Sequence, residues 1–109
     1  MIDLIQQLCN MAGRVKHLIA ETGDPRERKI LWFQYQQVVE KIDAATGKVF
    51  KENDDDYQEV INTFKETATL IQKYKAHQAD LKDLLVDFID IFEKIDRLIL
   101  LWKQENEET

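Results

Sequence analysis

The chain has 109 residues, a net charge of −6, 44% hydrophobic and 33% charged residues, three glycines and one proline, a composition that fits one helix-rich domain over residues 1–109 and leaves little for a second. A single cysteine, Cys9, excludes an internal disulfide framework, and the start Met-Ile-Asp-Leu lacks the basic and apolar blocks of a signal peptide, so the expected compartment is the cytoplasm. Residues 1–53 carry eight Lys/Arg against seven Asp/Glu, whereas residues 54–109 carry seven against fourteen; the acidic half repels phosphate backbones and anionic lipid, which points away from nucleic acid and membranes and toward another protein as partner.

From Leu4 to Ile19 the apolar residues Leu4, Leu8, Met11, Ala12, Val15, Leu18 and Ile19 recur at steps of three and four, one side of an α-helix. This first helix is expected to close at Thr22-Gly23, with Gly23 left-handed, and Asp24-Pro25 to cap and start the second. Helix two runs from Pro25 to Thr46 or a turn beyond, since Val49 and Phe50 keep its phase past Gly47. Its apolar arc, Leu31, Tyr35, Val38, Ile42 and Ala45 with a flank of Trp32 and Val39, is wide enough to want neighbours on two sides. Asn53-Asp54-Asp55-Asp56 punctuates the chain and supplies the capping and negative charge that favour a helix N-terminus.

After Asp56 there is no further glycine or proline, and apolar spacing continues from Tyr57 to Trp102. Two readings follow. In the preferred one the chain reverses within Lys75–Ala79, where the stripe turns polar, and Asp80 caps a fourth helix with Asp83 in its first turn. In the alternative, one helix of roughly 48 residues, about 70 Å at 1.5 Å per residue, exposes its stripe unless a second chain covers it. The fold class is therefore all-α, an antiparallel helical bundle of four helices, or of three with a very long C-terminal helix in a dimer. The polar end, residues 104–109, is expected to fray. The richest apolar run, Leu81 to Trp102, carries too many charges to span a bilayer.

Chemistry finds little support. Metal ligation needs converging His, Cys or carboxylates, and Cys9, His17 and His77 share no motif. His17 falls away from the apolar face and His77 sits at the proposed turn. Neither is followed by the Lys-Gly pair of a phosphotransfer histidine, although a phosphocarrier or enzyme using His17 or His77 remains an alternative. Cys9 reads as a small buried hydrophobe at the edge of the stripe. The Asp54-Asp55-Asp56 run has neither the central glycine nor the spacing of a calcium loop, and Asp83, Asp87 and Asp90 lack the Glu-x-x-His of a di-metal bundle and read as a solvated side. Glycine-rich phosphate loops are absent, serine is absent altogether, and no threonine has a spaced His and acid. The expectations are no enzyme, no cofactor and no metal.

Surface for binding is what remains. Phe33 points nearly opposite the centre of its helix's apolar arc. It either packs beneath the Thr22–Arg26 turn, the preferred expectation, or anchors a partner together with Ile30. Val86, Leu100 and Leu101 widen the last apolar face beyond a single stripe, which suggests a central helix or a homodimer interface. Arg26, Arg28 and Lys29 form a short basic patch at the start of helix two. The expected function is a small adaptor, inhibitor, immunity factor or export chaperone, with a self-assembling homodimer as the alternative.

Overall fold

The computed structural model describes residues 3–107 and shows four helices, α1 (Leu4–Glu21), α2 (Pro25–Ala45), α3 (Asp55–Lys75) and α4 (Leu81–Glu107), in a bundle of 50 × 22 × 21 Å. The break within residues 76–80 selects the four-helix reading over the single long helix.

Each helix begins at an aspartate. Asp3 accepts from the Gln6 N–H at 2.9 Å, Asp24 from Arg26 at 2.9 Å, Asp54 from Asp56 at 3.3 Å and Asp80 from Asp83 at 3.0 Å, so a free N–H of each first turn is satisfied where negative charge is favoured. At α4 the cap is reciprocal, because Asp83 accepts the Asp80 N–H at 3.3 Å.

The ends use different devices. α1 and α2 both stop at a threonine, Thr22 and Thr46, whose hydroxyl donates to the carbonyl four residues back at 2.7 Å. Gly23 is not left-handed, contrary to expectation: Thr22, in extended conformation, ends the helix. Gly47 is the glycine with positive φ, +82°, and it turns the chain before Val49 and Phe50 can extend α2. α3 closes with a left-handed residue that is not glycine. His77 has φ +60°, its N–H donates to Tyr74 O at 3.1 Å, and the Gln78 N–H reaches back to Lys73 O at 2.7 Å, the paired bonds of a Schellman end.

α1 packs on α2 and α3, and α4 packs on α3 and α2, whereas the backbones of the diagonal pairs α1/α4 and α2/α3 do not approach one another. The chain thus forms two antiparallel hairpins, α1–α2 and α3–α4, laid together so that α1 runs parallel to α3 and α2 parallel to α4. The link from α2 to α3 crosses the bundle end diagonally and closes it. Phe50 stacks on Tyr57 with ring centroids 6.2 Å apart, Trp102 Nε1 donates to Val49 O at 2.8 Å, and the Lys48 ammonium lies 5.4 Å from the Trp102 ring. The apolar phase of the segment after Gly47 therefore serves a lid across the core.

The core is one cluster in which every helix contributes its stripe, centred on Leu8, Val15, Leu31, Val38, Ile71 and Phe88. Cys9 is exposed rather than buried: Leu4, Leu8, Met11, Val15 and Leu18 complete the α1 stripe without it. α4 runs through Gln104–Glu107, residues expected to fray, with Asn106 Nδ2 donating to Trp102 O at 2.8 Å; positions 108 and 109 lie outside the described residues. Among the described residues no helix is long and apolar enough to cross a membrane.

Candidate functional site

Two surfaces carry groups that the core does not need. The first is polar and lies along the α3/α4 seam. Lys94 Nζ sits 3.0 Å from Asp90, 3.5 Å from Glu59 and 3.1 Å from the Thr63 hydroxyl, and the hydrogen bond to Asp90 raises its pKa. One turn away the buried Thr67 Oγ1 lies 2.9 Å from Thr63 O and 2.6 Å from Asp87 Oδ2. Burial pushes the Asp87 carboxyl above the ordinary aspartate range, and the charges of Asp90 and Glu66 reinforce the shift. Asp87 is therefore partly buried and hydrogen-bonded, a correction to its expected place on a solvated side.

The second surface is apolar. Because α2 and α4 are parallel neighbours, one contact fixes their relative register: Lys41 Nζ lies 2.7 Å from Asp96 and 5.9 Å from the Phe92 ring. Eleven residues back along each helix, about three turns, Ile30 comes level with Leu85 on the same seam. By the same count Phe33 stands level with Phe88 and Ile89, and Arg26 with the start of α4. The helix periodicity turns Ile30 and Phe33 toward the α4 side of α2 and turns Leu85, Ile89 and Leu100 toward the α2 side of α4, with Val86 at the crest of the helix.

Five large apolar side chains consequently share this α2/α4 face while exposed: Ile30 38%, Phe33 56%, Val86 61%, Ile89 55% and Leu100 55%. Ile30, Phe33, Val86 and Leu100 are four of the five partner-binding candidates read from the sequence. Phe33 does not pack beneath the Thr22–Arg26 turn, because the loop between α1 and α2 is only residues 22–24 and Phe33 lies more than two turns into the helix. Leu101 does not join the face. It is half-buried on the opposite flank of α4, in a hollow with Tyr57 and Trp102 at the N-terminus of α3. Ile89 is the member that sequence reading missed.

No family model, curated protein or solved structure matches this chain. The remaining sequence candidates are dispersed. His17 Nε2 lies 2.9 Å from Glu21 on the exposed side of α1, His77 shapes the α3 end, and among the described residues no group of three or more His, Cys, Asp or Glu converges as a metal site. Trp32 and Val39, expected to flank a covered arc, are exposed on the α1 side of α2, where Trp32 stacks on Tyr35 at 5.3 Å.

Proposed function

We propose that this chain is a non-enzymatic protein-interaction module, of the adaptor, inhibitor, immunity-factor or export-chaperone type, that works by laying its α2/α4 face on the surface of another polypeptide. The observation that supports this reading is the gathering of four exposed apolar side chains, Ile30, Phe33, Val86 and Ile89, with Leu100 about three turns farther along the same face, on a bundle whose core is complete without them. Scattered single apolar residues are ordinary on a soluble surface, but a contiguous cluster from two helices is where docking free energy concentrates.

The test is affinity capture from the native host with three baits: wild type, Phe33→Asp combined with Ile89→Asp, and Val39→Asp on the other flank of α2. Under this reading a partner identified by mass spectrometry is retained by wild type and by Val39→Asp and is lost from the double variant. Equal recovery on all three baits, or no specific recovery on any, rejects it.

A further inference from the structure

The charges that border the apolar patch are ordered. Along α2, Arg26, Phe33 and Glu40 follow one another at intervals of seven residues, and along α4, Lys82, Ile89 and Asp96 do the same. Seven residues are close to two full turns, so each trio forms a single line on its helix. Both lines lie on the α2/α4 face, and the register set by Lys41 and Asp96 places Phe33 beside Ile89. From Arg26 to Glu40 and from Lys82 to Asp96 the face is thus cationic at one end, apolar in the middle and anionic at the other, in the same order on both helices, and Leu100 lies one turn beyond this span. Arg26, Glu40 and Lys82 make no ion pair within the described residues, and Asp96, 59% exposed at its side chain, keeps an open side beyond its bond to Lys41.

A pattern of this kind is complementary to itself turned end for end. We infer that the α2/α4 face pairs with the same face of a second copy, about a two-fold axis that lies in the contact plane, runs across the helices and passes at the level of Phe33 and Ile89. α2 then lies antiparallel on α2 of the other copy and α4 on α4, an isologous contact. Phe33 and Ile89 meet their own counterparts at the centre. Arg26 of each copy stands against Glu40 of the other, and Lys82 against Asp96. A parallel pairing of the same faces, about an axis along the helices, lays α2 on α4 of the other copy, sets Arg26 on Lys82 and Glu40 on Asp96, and is disfavoured by like charge.

The contact is modest in size. The span from Arg26 to Glu40 is about 21 Å along the helix, and two helices side by side are roughly 20 Å wide, so pairing covers on the order of 500 Å² per copy, about 1,000 Å² in all. That is the lower bound of specific interfaces, and it implies a reversible dimer that exchanges rather than an obligate one. The inference rests on the reading of this face as a docking surface and names its occupant.

Sedimentation velocity between micromolar and millimolar protein tests it. Wild type is expected to pass reversibly from monomer to dimer, and Phe33→Asp to stay monomeric with unchanged helicity. Arg26→Glu and Glu40→Arg are each expected to weaken pairing roughly tenfold or more, since each change disturbs two symmetry-related contacts, and the double variant, with the charges exchanged, is expected to recover most of the loss. Val39→Asp, off the face, is expected to leave the dimer intact. A wild-type mass that stays monomeric at millimolar concentration overturns the inference, as does a dimer indifferent to Phe33→Asp or a double variant that fails to recover. A monomeric wild type whose heterologous partner is still lost on Phe33→Asp/Ile89→Asp refutes self-pairing alone, whereas loss of both behaviours refutes the docking reading itself.

Discussion

The Thr67–Asp87 contact makes a prediction about pH that can be worked from geometry. The Thr67 hydroxyl has one proton and two acceptors within reach, Thr63 O at 2.9 Å and Asp87 Oδ2 at 2.6 Å. With Asp87 ionised, one of these contacts has no hydrogen in it. With Asp87 protonated, its own O–H donates to Thr67 Oγ1 and the threonine proton goes to Thr63 O, so both become hydrogen bonds. The carboxyl pKa is raised chiefly by burial, with the charges of Asp90 and Glu66 adding to the shift and the Thr67 hydrogen bond opposing it. A carboxyl raised in the folded state binds its proton more tightly folded than unfolded. Its contribution is fully present below the unfolded aspartate value and is lost as pH rises through the higher folded value. Asp87→Asn supplies an amide donor to Thr67 at every pH, so it should match or exceed wild-type stability near neutrality and remove the part of the pH slope that begins at the ordinary aspartate pKa and extends upward. Thr67→Val keeps the shape of a side chain that is 1% exposed but deletes both bonds, and should cost about 1–2 kcal/mol at acidic pH, given a net value of roughly 0.5–1.5 kcal/mol per bond. Urea denaturation followed by circular dichroism at several pH values from 4 to 8 reads both effects. An Asp87→Asn variant that is clearly less stable than wild type at pH 7, or whose slope over this window equals that of wild type, would refute the reasoning.

Three further outcomes are expected. His77→Gly should stabilise by about 0.5–1 kcal/mol, because the left-handed position at φ +60° strains a side-chain-bearing residue; a lower midpoint in urea contradicts this. The two loop glycines should respond oppositely to alanine: Gly47→Ala is destabilising by about 1 kcal/mol at φ +82°, while Gly23→Ala, with no atom within 4 Å of the added Cβ and no positive φ, is neutral or stabilising by up to about 1 kcal/mol. Phe88→Ala empties the centre of α4, where the ring is fully buried and 6.2 Å from that of Phe92; thermal melting should show a loss of about 3–5 kcal/mol, a large share of the stability a domain of this size has.

The helices were legible in the sequence because their limits are written in local chemistry. Asp24-Pro25, Asp54 and Asp80 each place a cap where the apolar period restarts, and the polar positions Lys75 and Gln78 mark the reversal even without glycine. What stayed hidden depends on neighbours. Cys9 is the exception: at 100° per residue it lies well round α1 from the stripe that Leu4, Leu8, Met11, Val15 and Leu18 complete, so it stays exposed. Phe33 looked coverable until the α1–α2 turn proved to be three residues. Leu100 and Leu101 are adjacent in sequence, yet one turn of 100° sends them to opposite flanks of α4. Ile89 could have been found from its sevenfold spacing to Lys82 and Asp96, but its place beside Phe33 follows only from the parallel packing of α2 on α4.

That packing also makes the exposed face a property of the assembled bundle. The helices that build the exposed face belong to different hairpins, so neither hairpin alone displays more than one of its two ridges. A chain in which only local segments have folded presents half a surface in no fixed register. The apolar patch exists only where the two hairpins are docked in register.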